Sequence, residues 1–193
     1  MKKMKKIMAL MLATIMMMVM SVPVFAAGTT HSLTVNVKGG QDLKGQTINL
    51  YKLFDVTESK SGETTNYAYT VNGTYKATLA SVLGISADSK DEAFAAAVTQ
   101  LGTNNSTEVQ NFANTFTTKA LEGKLAATKT SNKIADSKTS YEFTGLDAGY
   151  YLVYVTGGKE IQSSLVTVDE TTNTVNLKTE APSITKKADK ETA

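Results

Sequence analysis

Two lysines near the end of the chain are the side chains whose placement most suggests covalent chemistry. Lys178 and Lys186 lie on either side of Pro182 in a segment that reads as extended. The chain has no cysteine, so disulfide bonds cannot support it. A lysine amine can instead attack an activated acyl group and form an amide. The two lysines therefore favour a protein that is cross-linked through amines.

The residues around Lys186 suggest that this lysine faces an apolar environment. Side chains alternate along an extended segment, so Lys186 shares a face with Ile184. A lysine on an apolar face needs a partner that pairs with its charge or neutralises it. The sequence therefore predicts a specific partner for Lys186.

Other kinds of site chemistry find no support in the sequence. The single histidine, His31, lies beside the predicted mature N-terminus, where we expect an exposed tail residue. There is no Cys/His cluster for zinc and no phosphate-binding glycine motif at a helix start. Asp88, Asp91 and Glu92 lack the spacing of a calcium loop, and we expect Asp88 to Asp91 to cap a helix. The sequence predicts no catalytic residue, no metal and no cofactor.

The N-terminal residues have the three parts of a secretory signal peptide. Four lysines within the first six residues precede the apolar run from Ile7 to Met20, and small residues lead to Ala26. We expect cleavage between Ala26 and Ala27, so residues 1–26 are the signal peptide. The alternative is a retained anchor, but the apolar run is shorter than the roughly 20 residues that span a bilayer. The chain is therefore predicted to be secreted.

Removal of the signal peptide changes the charge of the protein. The predicted mature chain keeps 16 lysines against 18 acidic residues, which gives a net charge of −2. It has no arginine and no basic balance, so we expect no nucleic-acid partner.

The hydrophobic pattern predicts a mainly β protein with a helical insertion at about residues 76–123. Short segments of alternating or apolar residues are bounded by turn residues. Apolar residues recur at helical spacing within the insertion, and we expect Phe94, Phe112 and Phe116 to pack on one side of a sheet. Residues 58–66 and 124–140 are predicted loops. The predicted strands are Ser32–Val37, Thr47–Val56, Tyr67–Val71, Tyr141–Thr144, Tyr150–Val155, Ile161–Val168 and Thr174–Lys178. This order favours an Ig-like β-sandwich.

Two segments resemble the N-terminal domain of Gram-positive, sortase-assembled pilus backbone subunits. They are Leu50-Tyr-Lys-Leu-Phe-Asp-Val56 and Phe143-Thr-Gly-Leu-Asp-Ala-Gly-Tyr-Tyr-Leu-Val153. The late segment is the more specific of the two. The resemblance implies a pilin β-sandwich over residues 27–180, with residues 181–193 as a linker or the start of an isopeptide-forming domain.

The resemblance also implies roles for the two lysines. Lys178 corresponds to the lysine that accepts the acyl group of the next subunit's sorting signal. Only this lysine and its distance from Pro182 match the family's motif, because Leu177 replaces a proline and Thr179 replaces an asparagine. Lys186 corresponds to the lysine that forms an internal isopeptide bond in the following domain. Its asparagine and acidic partners would lie beyond Ala193.

The resemblance implies a structural subunit of a cell-wall-anchored pilus. The expected partners are other pilin subunits, a pilus-class sortase and peptidoglycan, and the expected location is the cell surface. The alternative is a monomeric or pilus-tip adhesin that binds host matrix or glycan through the helical insertion. A secreted enzyme is the third possibility, and it lacks a recognisable site.

Overall fold

The described part of the protein contains eight strands and three helices. A computed structural model describes residues 30–37, 40–61, 64–102, 107–157, 162–169 and 172–177. The strands are β1 (His31–Asn36), β2 (Thr47–Ser61), β3 (Thr64–Val71), β4 (Lys129–Thr130), β5 (Ser140–Leu146), β6 (Gly149–Thr156), β7 (Gln162–Val168) and β8 (Thr174–Asn176). The helices are α1 (Lys76–Leu83), α2 (Asp91–Gln100) and α3 (Thr107–Glu122).

The strands form two sheets, and the helices cover one of them. The smaller sheet has the order β5-β1-β8, and the larger has the order β3-β2-β6-β7, with β4 also paired to β2. All strand pairs are antiparallel except β1 with β8. The predicted mainly β sandwich with a helical insertion is confirmed.

Strand β2 contributes to both hydrophobic cores. Ile48 and Leu50 point into the core between the sheets, whereas Tyr51 and Leu53 point into the core beneath the helices. The alternation of side chains along a strand gives this division. The register between β2 and β6 then shifts at an irregularity between Lys52 and Phe54. All four of these apolar side chains are at most 3% exposed.

The helical layer is joined to the large sheet by aromatic contacts. The ring centres of Tyr51 and Phe116 are 5.8 Å apart, and those of Tyr75 and Phe116 are 6.1 Å apart, with edge-to-face geometry. Tyr75 also donates a hydrogen bond of 2.8 Å from its hydroxyl to the carbonyl of Ala126. Phe94, Phe112 and Phe116 are all buried. Their predicted role as core contacts is confirmed.

The predicted helix cap at Asp88 to Asp91 is wrong. The N-cap of α2 is Lys90, and no side-chain hydrogen bond closes this end. Asp91 and Glu92 lie inside the first turn instead. Their carboxylates still favour the helix there, because the N-terminal end of the helix dipole is positive. The preceding helix, α1, ends at Gly84, whose φ of 68° is a conformation that glycine adopts without strain.

Two further expectations for loops and tails need correction. Strand β2 continues to Ser61 and β3 begins at Thr64, so most of the predicted loop 58–66 is paired strand. Its two threonines, Thr64 and Thr65, suit extended backbone even though the segment lacks apolar alternation. His31 pairs with Leu146 at the start of β1 and is not an exposed tail residue. None of the described helices is long and apolar enough to cross a membrane.

We predict that Phe116→Ala lowers the free energy of unfolding by about 3–5 kcal/mol, because it leaves a cavity among buried aromatic rings. Leu121→Ala in the same helix is the control, since Leu121 is 46% exposed and should cost less than about 1 kcal/mol. Urea unfolding measures both values. Equal losses in the two variants would contradict the assigned core.

We also predict that the protein becomes less stable as the pH rises above the ordinary tyrosine pKa of 10.0. Burial raises the pKa of Tyr51, Tyr75, Tyr150, Tyr151 and Tyr154. Unfolded tyrosines then lose protons that the folded protein keeps, so stability is complete below pH 10 and falls above it. Urea unfolding between about pH 9 and pH 11 measures the slope. Tyr151→Phe should flatten this slope, and an unchanged slope would contradict the assignment.

Candidate functional site

The last described strand brings the chain to the residue before Lys178. Strand β8 runs parallel to β1 at the edge of the small sheet, with Thr34 opposite Thr174 and Asn36 opposite Asn176. The chain therefore reaches the proposed acceptor position from an edge strand.

Hydrogen bonds hold this edge strand along its whole length. The backbone N–H of Thr34 donates to the carbonyl of Asn173 at 2.8 Å, and that of Leu177 donates to the carbonyl of Asn36 at 2.8 Å. The Asn36 side chain donates from Nδ2 to Oδ1 of Asn176 at 3.0 Å. The pairing to β1 therefore continues to Leu177, one residue beyond the end of β8.

The contacts of Leu177 show why leucine suits this position. Val175 and Leu177 are buried between the sheets, and Asn176 between them is exposed. A proline at position 177 would lack the N–H that donates to Asn36. Leucine at this position keeps that hydrogen bond and adds an apolar side chain to the core.

The residues to which the sequence analysis assigns a reaction or a cleavage lie outside the described residues. This applies to Lys178, Lys186, Ala26 and Ala27 alike. The structure therefore brings none of them together, and their assigned roles stay predictions. Its contribution to the site is the position and pairing of Leu177.

A different lysine, Lys52, has an unusual environment that the sequence analysis missed. It is 7% exposed and lies in the centre of β2. The burial of Lys52 could be predicted from the sequence, because its side chain alternates with those of Ile48 and Leu50, which face the small sheet.

Two carboxylates pair with the amine of Lys52. Nζ contacts the carboxylate of Asp55 on the same strand and lies 3.4 Å from Oδ2 of Asp147, in the turn between β5 and β6. Asp55 and Asp147 are 49% and 82% exposed, so the aliphatic stem is buried while the charged end meets solvent-facing partners. The ion pair thus joins β2 to this turn.

The turn beside Lys52 is shaped around the lysine stem. A Cβ atom on Gly149 would lie 2.7 Å from Cε of Lys52 and 2.7 Å from the carbonyl oxygen of Phe54, which leaves room only for glycine. The hydroxyl of Tyr151 donates to the carbonyl of Asp147 at 2.8 Å. Burial raises the pKa of Tyr151, and the negative charges of Asp147 and Asp55 raise it further.

The chemistry available at Lys52 is that of an internal ion pair. Only 8% of its side chain is accessible, so an enzyme that transfers an acyl group could not reach its amine. Among the residues that the structure describes, no group of three or more His, Cys, Asp or Glu side chains could hold a metal ion.

Comparisons with known proteins give likenesses among solved structures. No protein-family model matches the chain, and no curated protein matches it. A solved structure that is similar to it is the T6 backbone pilin of serotype M6 Streptococcus pyogenes, described as a modular three-domain protein with variable loops and extensions. The identity is 17% and the TM-score is 0.39, over 77% of this chain and 28% of that chain. A likeness at this TM-score carries no functional inference.

We predict that Lys52 stabilises the protein mainly through its aliphatic stem. Lys52→Ala should lower the free energy of unfolding by about 2 kcal/mol, because it empties the space beside Gly149. Lys52→Met should change it by less than about 1 kcal/mol, because methionine fills that space and both carboxylates remain solvated.

Urea unfolding compares these variants with Lys133→Met, in which the replaced lysine is exposed. A loss in Lys52→Met as large as that in Lys52→Ala would show that the ion pair, and not the stem, provides the stability.

Proposed function

We propose that this protein is a structural subunit of a cell-wall-anchored pilus, polymerised covalently by a pilus-class sortase, with Lys178 as the acceptor. The observation that carries the proposal is the edge strand β8, whose pairing to β1 reaches Leu177, the residue directly before Lys178. An extended segment at the edge of a sheet can be bound by an enzyme without disruption of the core.

The two segments that resemble pilus subunits support the same proposal. They are distant in sequence, yet Leu50 pairs with Val153 and Tyr51 pairs with Leu152 at the centre of the large sheet. These segments therefore form the framework of the domain. This central pairing supports the pilin-like interpretation of the fold, and the acceptor role of Lys178 rests on the edge strand alone.

The proposed reaction is an acyl transfer. The deprotonated Nζ of Lys178 attacks the thioester that joins the sortase cysteine to the sorting signal of another subunit. A C–N bond forms, the C–S bond breaks, and the cysteine thiol leaves with the proton. The product is an isopeptide bond between subunits, and the last subunit is joined to peptidoglycan. The chain itself supplies the amine and no catalytic group.

A second candidate function is a monomeric or pilus-tip adhesin. The observation that favours it is an open groove of about 490 Å³ between the three helices, here called the helical groove. Its apolar lining residues are Val82, Leu83, Ile85, Ala97, Leu101 and Phe112. A binding surface in the helical insertion is what an adhesin for host matrix would need.

We predict that a pilus-class sortase from the same organism attaches a fluorescent peptide with an LPXTG sorting signal to the mature chain at Lys178. Lys178→Ala should abolish this labelling, because it removes the attacking amine. Lys133→Ala is the control and should keep full labelling, since Lys133 is an exposed loop lysine to which no acceptor role is assigned. Gel fluorescence and tryptic mass spectrometry measure the product and its position.

Two outcomes would contradict the proposal. Labelling that persists in Lys178→Ala would assign the acceptor to another lysine. No labelling of any variant, with a sortase that labels a known pilin, would reject the polymer subunit and favour the adhesin.

A further inference from the structure

The helical groove combines an apolar floor with a rim that is open to solvent. Phe112 is buried at its base, whereas Val82, Leu83, Ile85 and Leu101 keep part of their surface exposed. Its volume of about 490 Å³ is within the usual range for ligand pockets, roughly 300–1,000 Å³. These apolar side chains are partly exposed to water, so covering them with another apolar group lowers the free energy of the system.

The rim of the helical groove is electrostatically negative. Val82 and Leu83 end α1, and Gln100 ends α2, so the negative ends of two helix dipoles border the groove. Neither helix has a basic residue in its last turn, where lysine usually balances this end. Glu108 also lines the groove, in the first turn of α3. The positive end of the α3 dipole offsets only part of the negative charge on this carboxylate.

The charge of the whole helical layer has the same sign. Residues 76–122 contain five acidic side chains and three lysines. One of those lysines, Lys76, is 3.8 Å from Asp91, and its Nζ lies 5.4 Å from the ring centre of Phe94. No lysine is among the residues that line the groove. An occupant with a positive charge would therefore complement the groove.

We propose that the helical groove binds a peptide segment of a partner protein that presents apolar side chains next to a lysine or arginine. The apolar residues would cover the open side chains, and the cation would lie at the helix C-termini and Glu108. This inference does not depend on the pilus function, because the groove lies in the helical layer, apart from the β8 edge strand. The expected ligand of the groove is thus an apolar peptide segment with one positive charge.

The test uses three capped peptides that differ only in the central residue. The first is Ser-Leu-Leu-Lys-Leu-Leu-Ser, and the others carry glutamine or glutamate in place of lysine. Each is titrated to about 5 mM into the mature chain, residues 27–193, and binding is followed by amide chemical shifts. We expect shifts at the groove residues, with the lysine peptide roughly three- to tenfold tighter than the glutamine peptide and the glutamate peptide weakest.

Three variants locate the site and its charge. Glu108→Gln should reduce the preference for lysine over glutamine, whereas Glu122→Gln, which removes an acid of α3 that does not line the groove, should keep it. Ala97→Leu should weaken all three peptides by filling the groove, with its fold checked by circular dichroism. Absent binding, shifts elsewhere on the protein, or equal affinity for the lysine and glutamate peptides would each overturn the proposal.

Discussion

The pairing of β2 is the constraint on which the rest of the described structure depends. This strand pairs with β3, β4 and β6, and its two faces contribute to the two cores. Ile48 and Leu50 join the sheets, and Tyr51 and Leu53 join the large sheet to the helices. A shift of one residue in its register would exchange these faces and place Lys52 beneath the helices. Packing against the small sheet on one face and against the helices on the other therefore determines where the irregularity beside Lys52 lies.

The parts of the fold that follow from apolar periodicity were predictable from the sequence. The clear alternation at Leu33 and Val35 gave β1, and the helical spacing of Phe112 and Phe116 gave α3. Both strands of the β2–β3 hairpin were predicted, but their extension through residues 58–61 and 64–66 was not, because that stretch of sequence lacks apolar alternation. The helix start at Lys90 was missed because first-turn carboxylates were read as caps. Both errors concern polar residues, for which backbone pairing decides the structure.

The candidate site was predictable only in part. The sequence predicts a strand at Thr174–Lys178, but not the parallel pairing with β1 that brings the first and last described strands together. Lys52 could have been found from its alternation with Leu50, while its partner Asp147 is 95 residues away and depends on the fold. The helical groove was not predictable, because three helix ends meet there only after packing.

The protein combines two ways of supporting a domain without cysteine. The described residues rely on two apolar cores and on the packed stem of Lys52, which needs no covalent bond. Under the proposed function, covalent strength lies between subunits, at the end of an edge strand that the core holds through Val175 and Leu177. The acceptor would then be accessible to the enzyme while the side chains of Val175 and Leu177 remain buried.

The most direct test of the proposed function is mass spectrometry of the polymer taken from the cell wall of the producing bacterium. We expect a branched tryptic peptide in which Nζ of Lys178 is joined to the carboxyl-terminal threonine of a cleaved sorting signal, with no cleavage after Lys178. Linear peptides that end at an unmodified Lys178 in high-molecular-weight material would contradict it.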